Sequence, residues 1–220
     1  MYIRTYEHGT RCSYLFGPEG FSGPLAVVDP AGDPSRLLAG TRDRPIEQVY
    51  LTSGRFEPEA VRALLAATGA RLHAHRTLAP RLEAAGLPLA VRLAGGDRLE
   101  VGGIELRVLA TPGIDRGAIC LLLAEAYLFT GETLPLGGFA PDTPPADDPV
   151  SHYVSLRMLS QLPGDIEVLP GRRTAAARRS TLAAELAGNP LLAAPDLQAF
   201  LAQCARGSPA QPPAGEVGGF

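Results

Sequence analysis

Short apolar segments that end at glycine, proline or aspartate recur along most of the chain, and helical patterns interrupt them at several places. This order of strand-like and helical segments constrains the fold most. A helix is predicted over 58–68, because Pro58 suits a first turn and Gly69 suits a helix end. A hairpin is predicted over 97–109, where apolar and polar residues alternate around Gly102 and Gly103. Further strands are predicted over 12–16, 25–28, 48–52, 71–75, 89–92, 118–123, 126–129 and 166–169, and further helices over 77–85, 150–162 and 174–204. This order is typical of an α/β sandwich with mixed sheets.

Length and composition suit one or two folded domains. The chain has 220 residues, of which 45% are hydrophobic and 20% charged, so disorder of the whole chain is excluded. A domain of this size buries roughly 70% of the surface that its unfolded chain exposes, so it needs no disulfide or metal for stability. We predict one domain over 1–205, with C-terminal helices over 174–205, and a disordered tail over 206–220.

Charge and cysteine usage exclude several classes of partner. The formal net charge is -3 and no block of one sign occurs, which predicts no nucleic-acid and no membrane partner. Cys12, Cys120 and Cys204 are odd in number and widely spaced, so neither a disulfide framework nor a zinc knuckle is indicated. The first residues lack the apolar region of a signal peptide, and the longest apolar run, 118–124, is far shorter than the roughly 20 residues that span a bilayer. A cytoplasmic protein is predicted.

Five motifs, in one order and with one spacing, resemble the metallo-β-lactamase superfamily, most closely its glyoxalase II-like thioesterase branch. They are Leu51-Thr52 before a helix, Gly96-Asp97 with the following Val-Gly-Gly, Leu109-Ala-Thr-Pro-Gly113, Leu128-Phe-Thr-Gly131 and Val168-Leu-Pro-Gly171. The resemblance covers roughly residues 12 to 173 and implies a four-layer αβ/βα sandwich. It also implies two zinc or iron ions, whose bound hydroxide attacks a carbonyl or phosphoryl centre.

The metal-binding motifs of that family are altered in this chain. The resemblance places the family's His-x-His-x-Asp-His on residues 53–58, and no imidazole remains at any of the five histidine positions. Ser53, Arg55, Pro58, Ile114 and Arg172 stand at the histidine positions, and Glu57 and Glu132 stand at two aspartate positions. We therefore predict no bound metal or other cofactor.

Two arginines stand at positions that hold metal ligands in the family, which suggests that arginine charge replaces metal charge. A guanidinium is permanently charged and offers no lone pair, so it cannot bind a cation. We hypothesise that Arg55 and Arg172 replace the metal charge and pair with Glu57 and Glu132. An alternative is an oxygen-only site for Mg, Ca or Mn, formed by Glu57, Asp115 and Glu132, which the nearby arginines would oppose.

Other polar residues favour structural roles. Ser53 has no histidine in the pattern to serve as its base and does not lie in a G-x-S-x-G elbow, so a turn or helix-entry role is favoured. His73 and His75 point to the same side of a predicted strand, where a ligand pair is geometrically allowed. Their region resembles the family's second β-α unit, away from the metal site, which favours a structural role.

Three functions follow from this pattern. The leading interpretation is a non-catalytic protein, a pseudoenzyme with a binding or regulatory role, in which Arg55 and Arg172 hold an acidic small molecule. The alternative is an active hydrolase of thioesters or esters, with a rebuilt metal site or a metal-free mechanism. The third is a subunit that binds a protein partner through an apolar stripe, although packing of this stripe on the core is favoured. The stripe consists of Leu191, Leu192, Leu197, Phe200 and Leu201.

Overall fold

Two six-stranded sheets form the centre of the protein in the computed structural model, which describes residues 1–20, 22–139, 143–173 and 179–207. The first sheet contains, in spatial order, β1 (Tyr2–His8), β2 (Arg11–Gly17), β3 (Leu25–Val28), β4 (Ile46–Leu51), β5 (Arg71–His75) and β6 (Leu89–Leu93). The second contains β7 (Arg98–Val101), β8 (Ile104–Ala110), β9 (Ile119–Leu123), β10 (Tyr127–Gly131), β11 (Glu167–Pro170) and β12 (Ser180–Thr181). Each sheet has parallel and antiparallel pairs, which confirms the prediction of mixed sheets.

Helices cover the outer face of each sheet. They are α1 (Ser35–Ala39), α2 (Pro58–Thr68), α3 (Ala79–Ala84), α4 (Pro149–Leu159), α5 (Leu182–Gly188), α6 (Pro190–Ala193) and α7 (Leu197–Gly207), with a 3-10 turn (Arg76–Leu78) before α3. One apolar cluster fills the space between the sheets, around Phe16 and Phe129. A second lies under α1 to α3, and a third under α4 to α7. This arrangement is the predicted four-layer αβ/βα sandwich.

Local residue chemistry explains the elements that were predicted most accurately. Helix α2 begins at Pro58, whose missing N–H costs nothing in a first turn, and ends before Gly69, which adopts the left-handed conformation at φ 68°. The β7–β8 hairpin turns at Gly102 and Gly103, both at positive φ, as its turn requires.

Two elements were missed and the last helices differ from their prediction. The missed ones are β1, a half-exposed strand at the edge of its sheet, and α1, which has only five residues. The helices predicted over 174–204 begin only at Leu182, after the short strand β12, and residues 174–178 lie outside the described part of the chain. Helix α7 continues to Gly207, two residues into the predicted tail, and 208–220 are not among the described residues.

No helix within the described ranges is long and apolar enough to cross a membrane.

Two buried histidines predict a fold that is sensitive to acid. His73 packs on the Tyr50 ring, with ring centroids 4.7 Å apart, and neither of its ring nitrogens has a partner among the described residues. His152 is fully buried on α4 and hydrogen-bonds the carbonyl oxygen of Thr133 through Nε2. Burial lowers the pKa of each histidine to about 4, because the protonated ring would lose its hydration.

We expect the free energy of unfolding to fall by about 3 kcal/mol between pH 7 and pH 4.5. The unfolded histidines bind protons from about pH 6.5 downward, so the stability contributed by their neutral folded forms is complete above pH 6.5 and lost towards pH 4. Asp29 offsets part of this loss, because burial raises its pKa to about 6 and the cost of its ionised form disappears on acidification. Urea unfolding at both pH values measures the difference. His73→Leu should at least halve it, and an unchanged pH dependence in this variant would contradict the role assigned to His73.

Candidate functional site

The altered motif residues lie where the ends of the two sheets meet. Residues 53–57 follow β4, Glu132 follows β10 and Arg172 follows β11. Backbone hydrogen bonds join these ends: Ile119 N donates to Thr52 O at 2.8 Å and Gly171 N to Gly131 O at 2.7 Å. A Cβ on Gly131 would lie 2.2 Å from Thr52 Oγ1, so this approach requires glycine. The topology therefore brings together residues that are more than 100 positions apart in the chain.

Glu132, at the position of the family's bridging aspartate, lies between arginines. Its side chain is only 6% exposed. Oε2 is 3.4 Å from Arg55 Nη1, and Oε1 is 3.3 Å from Arg172 Nη2. Arg11 Nη1 is 3.8 Å from Oε1. Three guanidinium groups thus surround one buried carboxylate.

Glu57 pairs with Arg11 instead of with either hypothesised arginine. Its Oε1 is 3.1 Å from Arg11 Nε, and its Oε2 accepts a hydrogen bond from Gly32 N at 2.9 Å. The hypothesis had paired Glu57 and Glu132 with Arg55 and Arg172, and the structure places only Glu132 beside those two. We call the five residues Arg11, Arg55, Glu57, Glu132 and Arg172 the arginine cluster.

Arg55 uses its remaining donors on the loop that covers the site. Its Nη2 donates to the carbonyl oxygens of Ile114 at 2.8 Å and Pro145 at 2.5 Å, and Nη1 donates to Pro144 O at 3.2 Å. Asp147 Oδ1 lies 3.3 Å from Nη2. The guanidinium is therefore occupied by protein groups.

The other predicted site residues have local structural contacts. Ser53 Oγ accepts a hydrogen bond from Arg55 N at 3.2 Å, and Pro58 is the first residue of α2. Ile114 is fully buried. Asp115 accepts hydrogen bonds from Gly54 N at 2.6 Å and from Gly117 N at 2.7 Å. Its carboxylate is thus committed to two backbone N–H groups.

Asp29, which the motif comparison did not indicate, fixes the end of β4. It follows β3 at a positive φ of 48° and accepts hydrogen bonds from Thr52 N at 2.8 Å and Thr52 Oγ1 at 2.5 Å. Burial raises the pKa of its carboxyl group to about 6, against the opposite effect of these hydrogen bonds.

The residues present do not fit the dinuclear metal centre of the family. Within the described ranges, no three His, Cys, Asp or Glu side chains are grouped so that they could hold a metal ion. Three fixed positive charges stand where cations would bind, and Asp115 is directed to its backbone partners. The free space left beside Arg11, Arg55 and Glu132 is about 10 Å³, roughly the volume needed for one water molecule.

Comparisons with known proteins agree with this fold. No family model matches the chain. It is 36% identical over 153 residues to a hydroxyacylglutathione hydrolase of Cereibacter sphaeroides strain ATCC 17025, a match that covers 68% of this chain and 58% of that protein. The homologue of strain ATCC 17029 is 32% identical over 174 residues, 78% of this chain and 66% of that protein. The chain thus spans less than two thirds of the length of both relatives.

Solved structures extend the comparison. ETHE1 from Myxococcus xanthus superposes with a TM-score of 0.78 at 24% identity, over 93% of this chain and 90% of its own. TTHA1623, solved in a di-iron-bound form, superposes with a TM-score of 0.68 at 29% identity, over 87% of this chain and 100% of its own. With its two mixed sheets, its ordered motifs and these relatives, the chain belongs to the metallo-β-lactamase superfamily, in the glyoxalase II-like branch.

Proposed function

We propose that this protein is a non-hydrolytic member of the superfamily, with a binding or regulatory role, in which the arginine cluster occupies the place of the metal centre. The observation that carries the proposal is the position of Glu132, which lies between Arg55 and Arg172 within 3.4 Å of each. A carboxylate that bridges two guanidinium groups is charge-compensated and has no role left as a metal ligand.

The chemistry of hydrolysis requires an activated water, and the cluster offers no group to activate it. Activation needs a metal ion or a general base whose pKa lies near the working pH. No histidine lines the small space beside Glu132 in the described residues. Asp29 lies there, but both of its oxygens accept hydrogen bonds from Thr52.

An acidic small molecule is the ligand class that we propose, but not at the position first predicted for it. The terminal nitrogens of Arg55 and Arg172 donate to Glu132, to loop carbonyls and to Thr10 Oγ1, while Arg172 Nε is buried without a partner among the described residues. The remaining space of about 10 Å³ does not admit an organic anion. The binding site for such a ligand must therefore lie elsewhere on the protein.

A second candidate function is hydrolysis of a thioester, which the names of the relatives favour. Two of these relatives are hydroxyacylglutathione hydrolases, so a hydroxyacylglutathione thioester is the substrate to test. In that case the protein would have to use a rebuilt metal site or a metal-free mechanism.

We expect no turnover of a hydroxyacylglutathione thioester above the uncatalysed rate. The assay is made with protein supplied with zinc, iron or manganese, in parallel with chelator-treated protein. Turnover that chelator abolishes would show a rebuilt metal site. Turnover that survives both chelator and Glu132→Gln would show a metal-free route, and either result would overturn the proposed function.

A further inference from the structure

A cavity of about 670 Å³ lies beside the arginine cluster and is separate from it. Its walls are the loop over 112–117, the beginning of α4 and the segment over 77–81. This volume falls within the range of roughly 300–1,000 Å³ that is usual for small-molecule sites. It is therefore large enough for the ligand that the arginine cluster cannot admit.

The wall formed by the loop over 112–117 is held in place before any ligand arrives. Gly113 N donates to Asp115 O at 3.1 Å, and Asp148 N donates to Gly113 O at 2.9 Å. Gly113 has φ 142°, and a Cβ there would lie 2.3 Å from His152 Cα, so only glycine permits this approach to α4. A preformed wall lowers the ordering cost of binding.

The carboxylates of the cavity are already committed to protein groups. Asp115 accepts two backbone N–H groups, as described above. Asp148 caps α4 and accepts hydrogen bonds from Val150 N, Ser151 N and Ser151 Oγ. Asp147 pairs with Arg55. Each of the three carboxylates therefore already has a partner within the protein.

The arginines of the cavity remain available to bind a ligand. Arg81 and Arg116 are both exposed, and within the described ranges neither guanidinium makes a hydrogen bond or an ion pair. The Arg81 side chain lies over Gly54, with Cδ 3.3 Å and Nη1 3.4 Å from the position that a Cβ on Gly54 would take. Hydrogen bonds from Ser151 lower the pKa of Asp148, and the charge of Arg116 adds to this effect. Leu78 and Pro112 add apolar surface.

We propose that this cavity binds a small organic oxyanion, a carboxylate or a phosphate monoester with a short apolar body, through Arg81 and Arg116. The planar guanidinium fork suits both kinds of oxyanion, and Leu78 and Pro112 contact the body of the ligand. The inference rests on the proposed function, because it identifies where a non-hydrolytic protein of this fold holds its ligand.

Isothermal titration with three probes tests the site: phenyl phosphate, benzoate and the uncharged benzyl alcohol. We expect an oxyanion probe to bind and benzyl alcohol not to bind, and the comparison of phosphate with carboxylate identifies the headgroup. Arg81→Gln and Arg116→Gln should each weaken binding about tenfold, the effect of losing one charge-assisted contact. Arg76→Gln is the matched control, because Arg76 is exposed nearby and does not line the cavity, and it should leave the Kd within about twofold.

Absence of binding by both oxyanion probes, or an unchanged Kd in the Arg81→Gln/Arg116→Gln double variant, would overturn this inference. Arg81→Gln and Arg116→Gln each change an exposed side chain, and circular dichroism verifies that the variants are folded. The two proposals fail in different ways. Thioester turnover would overturn the non-hydrolytic function and leave the arginine dependence of binding intact, whereas loss of that dependence would leave the turnover result unaffected.

Discussion

Glu132→Ala is expected to lower the free energy of unfolding by about 3–5 kcal/mol, the range for removing one partner of a buried ion pair. The physical reason is that the substitution leaves buried guanidinium charges without this carboxylate. Arg55 and Arg172 have side chains that are only 15% and 12% exposed, and both lose Glu132 as a partner, although Arg55 keeps its ion pair with the exposed Asp147. Arg55 keeps its contacts with loop carbonyls and Arg11 keeps its closer partner Glu57, so Arg172 bears most of the loss.

Urea unfolding measures this effect, and two variants control it. Glu132→Gln keeps one carbonyl oxygen as an acceptor and should lose less stability than the alanine variant. Glu59→Ala removes a carboxylate that is 85% exposed and 3.8 Å from Arg62, and it should change stability by less than about 0.5 kcal/mol. If Glu132→Ala were as stable as Glu59→Ala, the arginine cluster would have no structural role.

Phe200→Ala is expected to lower the free energy of unfolding by about 3–5 kcal/mol, because it empties a fully buried aromatic position. The ring centroid of Phe200 lies 5.4 Å from that of Tyr153 and 5.6 Å from that of His152, both on α4. Leu191 and Leu192 are buried in the same apolar cluster. Three residues of the apolar stripe thus pack on the core, as favoured from the sequence, whereas Leu197 and Leu201 are half-buried and lie outside that cluster.

The same variant tests the prediction of a single domain over 1–205. If α7 belongs to that domain, the wild-type protein unfolds in one transition and Phe200→Ala shifts the whole transition. Val154→Ala is the control, since Val154 is 62% exposed on α4 and its loss should cost little. A separate early transition in the Phe200 variant, with the main transition unchanged, would show that the C-terminal helices fold as an independent unit.

Much of the fold was predictable because local chemistry marks the element boundaries. Pro58 and Gly69 define α2, and Gly102 and Gly103 define a hairpin. Strand β1 was missed because an edge strand that is half-exposed on both faces has no alternation of apolar and polar residues. Helix α1 has five residues, too few for a helical period to be recognised.

The site was predictable only where a motif fixed the position of a residue. The spacing of the family motifs located Arg55, Glu132 and Arg172, which the structure brings together. It did not locate Arg11, because Arg11 starts β2 and reaches Glu57 and Glu132 through the pairing of distant segments. No local pattern could have indicated it. The direction of the Asp115 side chain depends on backbone N–H groups that only the folded loop provides.

Metal content is the measurement that tests the central claim most directly. Protein without an affinity tag is produced with zinc, iron and manganese supplied, and its metals are quantified by elemental mass spectrometry. An arginine cluster in place of the metal centre predicts less than about 0.1 ion per chain, because three guanidinium charges oppose cation binding. Near-stoichiometric zinc, iron or manganese would contradict the assignment of the ligand positions and favour a hydrolase.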